Sequence, residues 1–285
     1  MPGRALLMVG LFVGVTTLPM VAAAADAETC IDRMLREMGW VDDGSAELGV
    51  IDPLTPGAEA APSSNDLHAC VGKIQPGAQM TIGCTMNFIF RDQVARLYFG
   101  TAGHCFDGNG VGRTAGIVNV GNNVGTVVYD GHRNPGDVPD FALLRVDPAF
   151  YADIDPTMCH WGGPAGLNTF PSFGQTTHIY GFGLVYGQAA VTRARVGDVM
   201  GATSSEVTYL GFAQPGDSGA PVVTGDGKAA GIHVRSSLSI PGVIRIDPSP
   251  KYMTRVDAAI AGAEAATGLD LTLVDGNEPF NLLGY

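Results

Sequence analysis

Positive charge is scarce in this 285-residue chain: 16 lysines and arginines stand against 28 acids, a formal charge of −12 at pH 7. No Lys/Arg cluster offsets that balance, so a phosphate backbone is repelled and nucleic-acid partners are excluded. Charge of either sign is sparse at 15% of residues, and 46% are hydrophobic, which removes the chain from the disordered class and leaves enough apolar side chains for a core. Zinc-type spacing is missing too, with no Cys-x-x-Cys and no His-x-x-x-His, so no metal site is read. After the first 25 residues no apolar run is long enough to span a bilayer. Strong helix periodicity is rare, whereas 40 glycines and 18 prolines punctuate the chain. That pattern favours short strands joined by turns.

At the N-terminus, Met1–Arg4 carries one positive charge, Ala5–Val21 is apolar, and four alanines precede Asp26. This is the pattern of a secretory leader cleaved near Ala25. It predicts an exported, extracellular mature chain with no membrane association after cleavage. Export makes pairing the default for the five cysteines, Cys30, Cys70, Cys84, Cys105 and Cys159. Two disulfides are expected, and the odd count leaves one cysteine over.

Residues 26–75 read as an extension or propeptide. Ile31, Met34, Leu35 and Met38 fall at helical spacing within Thr29–Trp40, and a Pro-, Gly- and Ser-rich stretch follows. From residue 76 to 266 the texture is that of a folded domain. Strands are predicted at Met80–Phe90, Val94–Thr101, Ala115–Val120, Val124–Tyr129, Asp140–Val146, Thr177–Phe182, Thr192–Met200, Glu206–Phe212, Ala220–Thr224, Ala229–Val234 and Gly242–Ile246. So many short strands at this spacing imply an all-β barrel or sandwich. Val256–Ala266 reads as a closing helix, and residues 267–285 as a tail.

Three segments carry chemistry. Thr101-Ala102-Gly103-His104-Cys105 sets a histidine directly after an apolar strand, Asp140 opens the buried strand Phe141–Val146, and Gly216-Asp217-Ser218-Gly219-Ala220-Pro221 frames a serine with glycines. A serine hydroxyl becomes a nucleophile when a base reaches it and an acid orients that base. Asp137 is a rival for the acid, but the apolar run begins directly after Asp140.

In order and wording these segments resemble the signatures of chymotrypsin-like (trypsin-like) serine peptidases, over about Thr81–Gly262. The order His, Asp, Ser is that family's and not that of subtilisins or α/β-hydrolases. The resemblance implies two antiparallel barrels with the site between them, followed here by a C-terminal helix. It implies Ser218 as nucleophile, His104 as base then acid, Asp140 as orienting carboxylate, and the N–H groups of Gly216 and Ser218 as oxyanion hole. It also implies a Cys84–Cys105 disulfide pinning the histidine loop. Cys159 could pair with Cys70 or Cys30. No cofactor is implied, the partner is a protein or peptide substrate, and a monomer is expected.

The chain departs from the family in lacking an Ile-Val-Gly-Gly start; Val71-Gly72 is a poor substitute. Asp217, which would meet a newly freed N-terminus in proteolytically activated members, needs another partner, for which Arg193 and Arg195 are candidates. Whether the extension is removed, as in a zymogen, stays open. For specificity, Phe212 stands where a trypsin-like enzyme carries aspartate, so cleavage after Lys or Arg is not expected. Gly231-Ile232-His233 resembles the glutamyl endopeptidases, which implies that His233 and Ser236 bind an acidic side chain with Arg235 adding charge. The same residues admit a blander reading, with His233 a satisfied strand residue and Phe212 the floor of an apolar pocket. At the level of function, an inert binding module or an esterase on the same fold remains the alternative.

Overall fold

The apolar runs fold as strands, and their burial shows why. In β5 (Ala142–Val146) only Arg145 reaches solvent, so this strand is covered on both faces and reads as a continuous apolar run. The computed structural model describes residues 72–132, 139–158, 161–183, 193–236 and 249–282, all within one unit spanning 58–285. The leader, the helix expected at Thr29–Trp40, the strand expected at Gly242–Ile246, and Cys30, Cys70, Cys159 and Asp137 lie outside the described residues.

One antiparallel sheet is built from β1 (Ile89–Asp92), β2 (Leu97–Thr101), β3 (Thr114–Ile117), β4 (Gly121–Asp130), β5 and β12 (Leu271–Leu273), in the order β12-β1-β2-β5-β4-β3. The second is a closed barrel of β6 (Thr176–Tyr180), β7 (Ala194–Ala202), β8 (Glu206–Gly211), β9 (Pro221–Thr224), β10 (Ala229–Ser236) and β11 (Ser249–Arg255), in the order β10-β11-β8-β7-β6-β9. This is the all-β, chymotrypsin-like architecture expected, except that the first sheet is open among the described residues. Each half has its own core. Phe99, Leu144, Val127 and Ile117 centre the first, and Ile179, Val199, Tyr209 and Met253 the second.

Most strand ends shift by a few residues from the sequence expectation, β2 for example beginning at Leu97 and not Val94, and three differences are larger. Of the strand expected at Met80–Phe90, only the end pairs as β1. Its first half turns back on itself, with the Met80 N–H donating to the Cys84 carbonyl at 2.8 Å. β11 was not expected, because Pro250 reads as a breaker and Lys251 as a surface residue; both nevertheless pair in register with β8. The expected tail is part of the fold: β12 pairs with β1 through Phe90 and Leu273, and Phe280 packs edge-on against Trp161. The helix α1 (Val256–Thr267) buries Val256, Ala259, Ile260 and Ala263 along one stripe, and Gly268 ends it at φ +70°.

Strand pairing positions the site. β2 and β5 are antiparallel with Thr101 opposite Ala142, so the end of β2 lies beside the start of β5. His104, on the 3-10 turn Gly103–Phe106 after β2, therefore meets Asp140 just before β5. Ser218 arrives from the barrel, in the turn between β8 and β9.

Candidate active site

His104 is held twice by one carboxylate. Its backbone N–H donates to Asp140 Oδ1 at 2.9 Å, and its Nδ1 lies 2.8 Å from Oδ2. Asp140 is 4% exposed. An ionised carboxylate only accepts, so the ring proton belongs on Nδ1 and Nε2 is left as an acceptor. That nitrogen sits 2.8 Å from Ser218 Oγ. The three side chains thus form one hydrogen-bonded row, drawn from both sheets. The row can withdraw a proton from a hydroxyl and hold the resulting imidazolium against an anion. His132, which the sequence reading passed over, stands beside it: its Nδ1 is 3.7 Å from Asp140 Oδ2 and its ring 5.9 Å from that of His104.

The disulfide joins Cys84 to Cys105 and so ties the turn carrying His104 to the residue before Thr85. Thr85 in turn grips the serine loop. Its N–H donates to the Ser218 carbonyl at 2.8 Å, and its hydroxyl donates to the Gly216 carbonyl at 2.9 Å while accepting from the Phe182 N–H at 3.1 Å. Gly216 adopts φ +100°, and a Cβ there would lie 2.5 Å from the Phe182 carbonyl oxygen, so only glycine fits. Among the described residues, nothing accepts from the N–H groups of Gly216 or Ser218.

Asp217 is fully buried. Arg195 meets it with two bonds of 2.6 Å, and the N–H groups of Gly183 and Gln214 donate to it at 2.8 and 2.7 Å. Of the two candidate arginines, Arg195 is the partner. Arg193 instead stacks over the Phe182 ring, 4.0 Å from its centroid.

The serine loop is also held to β10, where the Gly219 N–H donates to the His233 carbonyl at 2.8 Å. β10 is buried from Ala229 through Val234, His233 included, and a bulge interrupts its pairing with β11 between His233 and Arg235. His233 Nδ1 is 2.8 Å from the Tyr209 hydroxyl, and burial above all pushes the imidazole down to about 3. Burial pushes the Tyr209 phenol up, so the hydroxyl keeps its proton. Phe212 is half-buried just past β8, and Ser236 is half-buried at the end of β10. Arg235 departs from the expectation. It faces outward, bound to Glu206 at 2.7 and 3.0 Å and stacked 4.3 Å over Tyr252, so its charge is engaged away from His233. The sequence reading missed Lys251, which is buried in β11 opposite Ser236 and bonded to Ser249 Oγ.

No protein-family model matches the sequence, and no curated protein does. Solved structures similar to the chain include the Rv3671c protease in an inactive form (16% identity, TM-score 0.41, 63% of this chain and 87% of that one). A Glu endopeptidase in complex with MPD aligns at 17% identity and TM-score 0.41, over 65% and 85% of the two chains. The HtrA-type protease AlgW with a decapeptide aligns at 18% and 0.38, over 59% and 47%. Likeness at this level carries no activity across, and the chemistry rests on the side chains described above.

Proposed function

We propose that this chain is an exported serine endopeptidase that cleaves peptide bonds through an acyl-enzyme and prefers an acidic residue on the acyl side. The observation that carries this reading is the row Asp140–His104–Ser218, with both hydrogen bonds at 2.8 Å. In the first step Ser218 Oγ attacks the substrate carbonyl carbon as its proton passes to His104 Nε2, while Asp140 stabilises the imidazolium. The carbonyl oxygen becomes an oxyanion and accepts from the N–H groups of Gly216 and Ser218. Collapse breaks the C–N bond, and His104 gives its proton to the departing amine. Water then repeats the sequence against the ester, releasing the acid and restoring Ser218.

The acidic preference is supported by polar groups beside the nucleophile. When Tyr209 donates to Nδ1, His233 presents Nε2–H, a neutral donor suited to a carboxylate. The test is labelling with a fluorophosphonate probe, which reacts only with an activated serine. Wild type should label at Ser218, and Ser218→Ala and His104→Ala should not. A folded Ser218→Ala protein that retains peptide turnover would sink the assignment.

A further inference from the structure

A carboxylate that orients a histidine must itself be held by something other than that histidine. Asp140 is buried, and both hydrogen bonds its carboxylate accepts come from His104, the backbone N–H to Oδ1 and Nδ1 to Oδ2. The Thr254 hydroxyl donates to the Asp140 carbonyl at 3.3 Å and so holds its main chain, not its carboxylate. Each carboxylate oxygen can take two donors, which leaves Oδ2 one open position. His132 faces it. Its Nδ1 lies 3.7 Å from Oδ2, is shielded from water, and has no hydrogen-bond partner among the described residues. A polar atom left unpaired away from water carries a penalty that a neighbouring ionised acceptor removes.

The surroundings hold His132 in that place. Its backbone N–H donates to Asp130 Oδ1 at 3.0 Å, and Asp130 Oδ2 accepts from the Gly110 N–H at 2.8 Å. A Cβ added at Gly103 would lie 2.7 Å from His132 Cβ, so the glycine directly before His104 lets the two histidines stand edge to face, 5.9 Å between centroids. The His132 side chain is only 13% exposed. We propose that His132 is a positioning residue of the reaction: its Nδ1–H donates a second hydrogen bond to Asp140 Oδ2 and so fixes the carboxylate that orients His104. Hydrogen bonds in active sites are often long in the free enzyme and tighten once substrate is bound, and the 3.7 Å gap closes in that way. The inference rests on the peptidase reading above and adds to its row a side chain that acts only through Asp140.

Two measurements on the full chain test it. Nitrogen NMR of protein carrying isotope-labelled histidine, with His132 assigned by its loss in His132→Asn, should show a protonated Nδ1 at neutral pH. A bare Nδ1 cannot donate and overturns the proposal. Peptide kinetics then separate the donor from its bulk. His132→Leu should lower kcat about tenfold, the effect of one charge-assisted hydrogen bond at its weaker end, with KM within about twofold. His132→Asn, whose amide N–H stands near the place of Nδ1–H, should keep kcat within about threefold of wild type. A purely structural histidine would lower Tm and spare kcat, so folded His132→Leu with wild-type kcat overturns the proposal, as does His132→Asn no faster than His132→Leu. If His132→Leu does not fold, the protonation of Nδ1 and the Asn variant decide, and kcat about tenfold down in His132→Asn overturns the proposal. Wild type that labels with the fluorophosphonate and cleaves, yet has a bare His132 Nδ1, loses this inference alone. Wild type that neither labels nor cleaves overturns the peptidase reading beneath it.

Discussion

Replacing Arg195 by methionine should cost this fold about 3–5 kcal/mol, the penalty for leaving one partner of a buried ion pair without the other. The magnitude follows from what remains. Asp217 has no exposed surface, and without the guanidinium its carboxylate keeps only the N–H groups of Gly183 and Gln214. On a domain of this size that loss corresponds to a fall in Tm of about 6–20 °C. The effect should reach the chemistry as well. The Asp217 N–H donates to the Gln214 carbonyl, and the Asp217 carbonyl accepts from Ala220, so this residue shapes the turn that presents the N–H groups of Gly216 and Ser218. Labelling of Ser218 should slow in the variant under conditions where it is still folded. Adding Asp217→Asn should restore part of the stability, because it removes the buried charge while its amide oxygen still accepts from one of the two main-chain donors, Gly183 or Gln214, which bond different carboxylate oxygens. Urea unfolding of the two single variants and the double variant measures the coupling. Arg195→Met unfolding within about 1 kcal/mol of wild type would refute the argument that this pair holds the turn.

Two further outcomes follow from single residues. Thr85→Val removes the hydroxyl shared by Gly216 and Phe182 and should lower kcat with little change in KM, while Thr85→Ser restores it; a drop confined to KM would contradict a positioning role. His233 titrates near 6.5 when unfolded and about 3 when buried, so below pH 6.5 the unfolded state binds the extra proton and stability falls toward pH 3. The loss amounts to about 3 kcal/mol between pH 7 and pH 4. His233→Gln should flatten that part of the pH dependence in urea titrations, and an unchanged slope would show that His233 is not buried neutral.

Much of the site was legible because its chemistry sits in short local words. Thr101–Cys105, Asp140–Val146 and Gly216–Pro221 each place one side chain at a strand end, and the pairing of β2 with β5 brings two of them together. The long-range bonds were not legible. The Thr85 hydroxyl meets a carbonyl 131 residues away, and nothing about a threonine after a cysteine announces that. Lys251 was hidden for a different reason. Beside Pro250, a lysine reads as surface, and only the closure of the barrel, with β11 between β8 and β10, turns it inward. Arg235 failed in the opposite direction. Its place in the Gly231–Ser236 segment suggested a pocket cation, but the bulge after His233 sends it outward to Glu206.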